Sequence, residues 1–301
     1  MIARALVVAV VMSGPGLVPA QCCQPLANHR DSMTQVLLRG GLDTATTGVL
    51  VYYVPGSEAN ARKLGTLLAA SLRYFGGSLG AEIDLALAIV DSARWHLITD
   101  LPYGLPSSHG GARIAFLPST PTGPDADAFL RVERSAPSGA METVRRRYPS
   151  WSAGVARMLN LVMLHEVGHV VARTLPIHAP NRWLHEWLAT YLAYAFMRSA
   201  RPDDAELWDA MCDALLAGYT PQHRSLEDFE NATLSIDNYV WYQTAFQPRV
   251  RVVYEAQGLD FVRALQQDFG ADVTPRPSPA DLLARLERMA PGFIVWATRT
   301  F

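Results

Sequence analysis

The sequence predicts an α+β fold in which a small N-terminal α/β subdomain is followed by a mainly helical half. Two patterns favour this class. Strand-like apolar runs alternate with helical spacing up to about residue 117, and from about residue 138 onwards almost every apolar pattern is helical. Half of the 301 residues are hydrophobic and 18% are charged, so the chain can bury a sizeable core. We expect the two subdomains to cover residues 21–137 and 138–301.

The N-terminal half carries the predicted strands. Apolar and β-branched residues cluster in three short runs, at residues 48–54, 83–90 and 112–117. Between the first two runs, a helix is predicted from an N-cap at Ser57 to about Phe75, and Gly76 and Gly77 are expected to end it. Residues 121–137 are rich in Pro, Gly, Asp and Ala, and this composition predicts a linker between the halves.

The second half carries helical apolar spacing throughout. Helices are predicted at residues 152–174, 182–198, 202–217, 258–269 and 278–289. A further helix is predicted to begin at Asp237, and Pro248 is expected to kink it.

The first 20 residues have the pattern of an export signal. Arg4 provides the positive charge, residues 5–12 are apolar, and the small Ala20 precedes the expected cleavage site. The apolar run is shorter than the roughly 20 residues of a membrane span. We therefore expect an exported, soluble protein, periplasmic or secreted. The net charge of −2 is too close to zero to indicate nucleic acid or an anionic membrane as a partner.

The three cysteines are Cys22, Cys23 and Cys212, and none is part of a CxxC pattern. In an oxidising compartment one of the adjacent pair could form a disulfide with Cys212. A buried, free Cys212 on a helix is the alternative.

The most informative stretch is His165-Glu166-Val167-Gly168-His169, inside a long apolar helical run. Residues four apart on an α-helix differ by about 40° in direction and about 6 Å in height. Both imidazoles therefore leave the same face and can bind one Zn²⁺, with Glu166 beside them as a candidate general base.

Together with Glu186 in the string Trp183-Leu184-His185-Glu186-Trp187-Leu188-Ala189-Thr190-Tyr191, this motif resembles the gluzincin zinc metallopeptidases, and most of all the peptidase-MA-like group. The resemblance runs from about residue 152 to the C-terminus. It implies a zincin-type catalytic half with one Zn²⁺ per chain, held by His165, His169 and Glu186, and with Glu166 as the base. His185 and His178 stay open as alternatives for the third ligand. Thr190, one turn after Glu186, is a candidate to hold a metal ligand in place, or it is an ordinary packed residue.

The same resemblance implies a tyrosine that assists the reaction from a later helix. In the sequence Asn238-Tyr239-Val240-Trp241-Tyr242-Gln243, Tyr242 matches the pattern best and Tyr239 is the alternative. Either tyrosine could instead be a packed core aromatic.

Two further stretches are candidates for substrate contact. Gluzincins add the peptide to an edge strand near the metal, and the strand that ends the stretch 102–117 is the candidate for that edge. Residues 139–143 resemble the Gly-x-Met-Glu-Asn motif with which aminopeptidases of this group bind the substrate amine. Thr143 replaces the final Asn, and coincidence is the alternative.

These features lead to the expectation of an exported zinc-dependent peptidase acting on a peptide or protein substrate. The alternative from another class is a catalytically degenerate gluzincin that binds peptides or proteins in the cell envelope. Glu166 favours the enzyme, because a binding module has no need of a carboxylate beside the metal. A purely structural zinc is disfavoured by the count of three ligands, which leaves the fourth position open.

Overall fold

A computed structural model describes residues 26–270 and 277–301 of the chain, with side chains described from Arg30 onwards. The predicted export signal, Cys22 and Cys23 lie outside the described residues, and so does the predicted disulfide. Cys212 is buried and forms no disulfide with another described residue. Within the described part, no helix is long and apolar enough to cross a membrane.

The fold is α+β, as the sequence predicts: a five-stranded sheet lies in the first half and helices make up the rest. The strands are β1 Asp43–Thr46, β2 Leu50–Tyr53, β3 Ala86–Val90, β4 Ser107–His109 and β5 Ile114–Pro118. Their order in the sheet is β1-β2-β3-β5-β4. The central pairs β2/β3 and β3/β5 are parallel, whereas β1 and β4 pair antiparallel with β2 and β5 at the two edges.

The three predicted strands correspond to β2, β3 and β5, but the expected edge position of β5 is wrong. β5 lies between β3 and β4, and it is buried along its whole length. The edge is β4, a short polar strand within the predicted loop of residues 102–117, in which Ser108 pairs with Ala115. Ser-Ser-His has no apolar alternation, so no strand was predicted there.

Helices α1 Leu26–Arg39, α2 Glu58–Leu79 and α3 Ser92–Trp95 belong to the sheet half. The predicted end of α2 at Gly76 and Gly77 is wrong, because the helix continues through both and ends at Gly80 in the left-handed conformation (φ 68°). Two glycines weaken a helix interior by about 1 kcal/mol each at most. The fully buried Leu64 and Leu68 fix the helix on the sheet and outweigh that cost.

The predicted linker at residues 121–137 is also wrong. It forms α4 Pro124–Arg131 and a short 3₁₀ helix Glu133–Ser135, followed by α5 Ser138–Arg147. Pro124 occupies the first helical position, where its missing N–H costs nothing. Phe129 is buried, and its carbonyl oxygen accepts a hydrogen bond from the Trp151 indole (2.9 Å). One continuous hydrophobic cluster therefore contains residues of both predicted subdomains.

Most of the remaining helices agree with the predicted positions to within a few residues. The whole set is α6 Trp151–Thr174, α7 Arg182–Ala200, α8 Pro202–Gly218, α9 Leu226–Asn231, α10 Ile236–Gln257, α11 Asp260–Phe269, α12 Pro279–Met289 and α13 Phe293–Thr300. The short helices α9 and α13 were not predicted. Helix α10 continues through Pro248. Ser150 caps α6 by accepting a hydrogen bond from the Ala153 amide (3.1 Å).

Helices α6 and α7 make close backbone contact at Gly168. A Cβ atom at Gly168 would lie 2.4 Å from the carbonyl oxygen of Ala189, a contact that real Cβ atoms do not make. The glycine inside the HExxH motif therefore allows α7 to pack directly against α6. Ala189 lies three residues after Glu186, so the same contact holds Glu186 against the histidine face.

This contact generates a stability prediction for Gly168→Ala. Overpacking against an unyielding backbone typically costs about 1–3 kcal/mol, more than the ~1 kcal/mol that alanine gains in a helix. We expect a lower free energy of unfolding, measured by urea denaturation.

The matched control is Gly77→Ala in α2, where no heavy atom lies within 4 Å of the added Cβ. This variant should be as stable as wild type or more stable. A Gly168→Ala variant that gains stability like the control would contradict the close helix contact.

Candidate metal centre

Three side chains from α6 and α7 converge in the interior of the helical half. The Nε2 atoms of His165 and His169 lie 3.1 Å and 3.3 Å from the same carboxylate oxygen, Oε2 of Glu186. All three residues are buried, and Glu186 is only 1% exposed. The structure therefore brings together the three residues for which the sequence predicts metal ligation.

The orientation of the imidazole rings distinguishes the candidate third ligands. A histidine binds a metal through a lone pair in the plane of its ring, so an ion shared by two histidines must lie in both planes. The rings of His165 and His169 are almost perpendicular (89°), and their planes intersect nearby. The rings of His169 and His185 are stacked at 20° with centroids 4.5 Å apart, so their planes do not meet near the rings. This arrangement favours Glu186 over His185.

His178, the other open alternative, lies away from the cluster. Its side chain is exposed, and its backbone amide donates to the carbonyl oxygen of Phe269 (2.8 Å). Among the described residues, the candidate metal-binding groups are His165 with Glu166 and His169, and His169 with His185 and Glu186. His178 is in neither group. Within each group the potential ligand atoms lie within 4.8 Å of one another, which places the predicted base Glu166 beside the histidines.

Thr190 determines which ring nitrogen of His165 carries the proton. The Thr190 hydroxyl donates to the backbone carbonyl of Glu186 one turn earlier (3.1 Å). Since a hydroxyl has one hydrogen, its oxygen is left to accept the Nδ1–H of His165 at 3.2 Å. A neutral His165 then directs the bare lone pair of Nε2 at the Glu186 carboxylate, which is also rich in lone pairs. A cation, either a proton or a metal ion, is needed between them.

The charges at the cluster reinforce one another. Burial raises the pKa of the Glu186 carboxyl, but the neighbouring His169 and His165 lower it by a larger amount. The pKa of Glu186 therefore lies well below its usual value. Burial lowers the pKa of His169, yet the Glu186 charge raises it above its ordinary value. Burial and the charge on His169 lower the pKa of His185 to about 4. The site thus holds a buried carboxylate that requires positive charge beside it.

Helix α10 supplies two more groups to the cluster. Gln243 donates from Nε2 to Oε2 of Glu186 (3.0 Å). Tyr239, one turn earlier on the same face, places its hydroxyl beside Glu186. Burial and then the charge on Glu186 raise the pKa of Tyr239 well above its usual value. The sequence marks Gln243 only by its spacing of four residues from Tyr239.

The structure does not place Tyr242, the predicted assisting tyrosine, beside the metal cluster. Its hydroxyl donates to the backbone carbonyl of Ser225 (2.8 Å), away from the metal cluster. Its ring is fully buried among aromatic side chains, in edge contact with Phe229 and stacked on Phe301. Residues three apart on a helix point about 60° away from each other. Tyr239 therefore faces Glu186, and Tyr242 faces the core.

The N-terminus of α7 is held by a carboxylate from α9. Glu230 accepts hydrogen bonds from the backbone amides of Arg182 (3.1 Å) and Trp183 (2.8 Å). These amides are unpaired within the helix, and the negative charge also suits the positive end of the helix dipole. Glu230 thereby fixes the start of the helix that carries Glu186.

Asp125 is a second acidic group near the predicted base. It lies in the first turn of α4, and its Oδ1 atom is buried and accepts no hydrogen bond from the described residues. Burial, the charge on Glu166 and the charge on Asp237 raise the pKa of Asp125 to about 7. Sequence reasoning missed this residue, because it treated residues 121–137 as a linker.

The edge strand β4 is joined to the metal-binding helix. Arg173, in the last turn of α6, donates from Nη2 to the hydroxyl of Ser108 in β4 (3.3 Å). Its Nε donates to the backbone carbonyl of His169, one turn earlier (3.1 Å). This edge of the sheet is thus connected to the second histidine of the motif.

Residues 139–143, which resemble an amine-binding motif, form part of α5. This helix packs mainly on α8, with Ala140 buried. Glu142, the potential amine-binding carboxylate, is exposed. The position of Glu142 does not support the resemblance of residues 139–143 to an amine-binding motif.

The donor set fits zinc. Ligand atoms at 2.0–2.1 Å from a tetrahedral zinc ion lie roughly 3.3 Å from each other. The separations of 3.1 Å and 3.3 Å between the two histidine nitrogens and Glu186 Oε2 agree with this value. Two imidazoles and one carboxylate are also a ligand set of catalytic zinc sites, in which the fourth position is open.

No protein-family model, no curated protein and no solved structure matches this chain.

Proposed function

We propose that the protein is a zinc-dependent metallopeptidase of the gluzincin type, with His165, His169 and Glu186 as the metal ligands. The main support is the convergence of two histidine nitrogens on one buried carboxylate oxygen, with bonds from Thr190 that leave a lone pair facing that oxygen. A proton could occupy this space, but the carboxylate of Glu166 beside the histidines favours a catalytic metal, because hydrolysis needs a general base at this position.

Zinc at this position would polarise both a water molecule and the carbonyl of the scissile bond. Glu166 accepts the proton of the attacking water and passes it to the leaving amine, as a general base and then a general acid. Tyr239 donates a hydrogen bond to the carbonyl oxygen as negative charge develops on it. The raised pKa of Tyr239 keeps its hydroxyl protonated for this role.

The substrate proposed for this site is an extended peptide. The edge strand β4 offers backbone groups for pairing, and Arg173 links it to the helix that carries the histidines. Backbone pairing of this kind recognises the peptide main chain and tolerates many side chains. Export to a periplasm or to the outside of the cell remains part of the proposal.

Glu166→Gln tests the function directly. The substitution keeps the size of the side chain but removes the base, so hydrolysis of a quenched fluorescent peptide library should fall about 10²- to 10⁴-fold. The zinc content, measured by elemental analysis, should stay unchanged.

The matched control is Glu142→Gln on α5, which should retain full activity. Loss of activity in this control would support the amine-binding motif instead. Wild-type protein that binds zinc but cleaves no peptide would favour the alternative of a peptide-binding module without turnover.

Tyr239→Phe and Tyr242→Phe separate the two tyrosines. Tyr239→Phe should lower kcat about 10²-fold, with the zinc content unchanged, because a transition-state hydrogen-bond donor is lost. Tyr242→Phe should leave kcat unchanged and lower the free energy of unfolding by about 1 kcal/mol, because the bond to Ser225 is lost. Steady-state kinetics and urea denaturation of both variants measure these effects. The reverse pattern would restore Tyr242 as the assisting residue.

A further inference from the structure

Arg182 is a cation beside the metal cluster that has no acidic partner among the described residues. It is the first residue of α7, and its Nη1 donates to the backbone carbonyl of Phe229 (3.2 Å). Its Nε atom is buried and has no hydrogen-bond partner in the described part of the chain. Glu230 is occupied by the backbone amides of Arg182 and Trp183 and forms no ion pair with the guanidinium. The positive charge is therefore held in place by neutral groups.

Two aromatic rings hold the guanidinium next to the proposed catalytic tyrosine. Its central carbon lies 4.6 Å from the centre of the Phe229 ring and 5.6 Å from that of Tyr239. These two rings stack on each other at 18° with centroids 5.9 Å apart. Because the guanidinium is fixed on this surface, it loses little conformational freedom when a ligand binds.

The same tyrosine connects Arg182 to the metal cluster. The Tyr239 hydroxyl lies beside Glu186, and the charges of Glu186, Glu166 and Arg182 all act on it. Arg182 is the only cation among these groups, so the space around Tyr239 has a positive side at the start of α7 and a negative side at the two glutamates.

We propose that Arg182 binds a carboxylate of the substrate next to the scissile bond. The inference rests on the proposed peptidase function, since it names the substrate class of the same site. Nη1 is bonded to Phe229 and Nε is buried, so Nη2 is the donor that is open to a carboxylate oxygen, in a charge-assisted hydrogen bond. In a peptide this carboxylate is either the free C-terminus or the side chain of Asp or Glu.

A structural role would also place Arg182 between α9 and α10, so the test must measure ligand preference as well as stability. Arg224 is a matched control. Its guanidinium also lies over an aromatic ring, at 5.8 Å from the centre of Trp241, and donates to a backbone carbonyl, that of Thr300 (3.1 Å). Neither Trp241 nor Thr300 belongs to the metal cluster.

The experiment measures peptide binding by isothermal titration calorimetry with full-length protein freed of metal by a chelator, so that no turnover occurs. The probes are three acetylated alanine pentapeptides: the free acid, the C-terminal amide, and the amide with one internal Glu. Wild type should bind one of the carboxylate peptides at least about tenfold more tightly than the plain amide, the effect of a charged hydrogen bond.

In Arg182→Gln this preference should disappear while the affinity for the plain amide stays the same, and Arg224→Gln should keep the preference. Preference for the free acid identifies the C-terminal carboxylate, and preference for the Glu peptide identifies an acidic side chain. If Arg182→Gln does not fold, Arg182→Lys replaces it, and the preference should fall because an ammonium does not stack on the two rings as the planar guanidinium does. Equal binding of all three peptides by wild type, or a preference that survives the substitution of Arg182, would overturn the proposal.

Failure of this proposal and failure of the peptidase proposal give different results. A carboxylate preference that depends on Arg182, in a protein that hydrolyses nothing when loaded with zinc, would keep the binding site and remove the enzyme. Hydrolysis without any carboxylate preference would keep the peptidase proposal and remove the carboxylate site at Arg182.

Discussion

The carboxylate of Glu186 is the group on which the arrangement of the helical half depends. A carboxylate that is almost fully buried is strongly destabilising unless its charge and lone pairs are matched. Here one oxygen contacts the Nε2 atoms of His165 and His169 and the amide of Gln243. These partners come from α6 and α10, so the carboxylate on α7 can be satisfied only if all three helices pack in one arrangement.

Several local features hold α7 in that arrangement. Gly168 allows the backbone of α7 to approach α6 at Ala189. Glu230 caps the first amides of α7, and Thr190 joins the carbonyl of Glu186 to the ring of His165. Each contact lies within about one turn of Glu186, and together they fix the direction of its side chain. A metal site needs this rigidity, because ligands that are free to move bind weakly.

The part of the site that rests on short-range spacing could be predicted from the sequence. His165 and His169 are four residues apart, so the pitch of the helix alone places them on one face. The helices on either side follow from their apolar spacing and from capping residues such as Ser150. Glu186 required a resemblance to a known pattern as well, because its distance from the histidines depends on how two helices cross.

The remaining features depend on packing that the sequence does not encode locally. Tyr239 and Tyr242 differ by about 60° around α10, and only the rotation of that helix against its neighbours decides which one faces Glu186. Strand β4 has no apolar alternation, since it needs only the backbone of β5 as a partner. Residues 121–137 have the composition of a linker, yet the burial of Phe129 makes them a helix that carries Asp125 to the site.

Zinc content tests the central claim most directly, by elemental analysis of the purified wild-type chain beside His165→Ala. Three buried ligands from two helices should hold about one zinc ion per chain, and the loss of one histidine should remove it. If the wild type contains no zinc even after supplementation, the bare lone pair of His165 is neutralised by a proton. The cluster would then be a hydrogen-bonded pair of histidines on a buried glutamate, and the metallopeptidase proposal would be wrong.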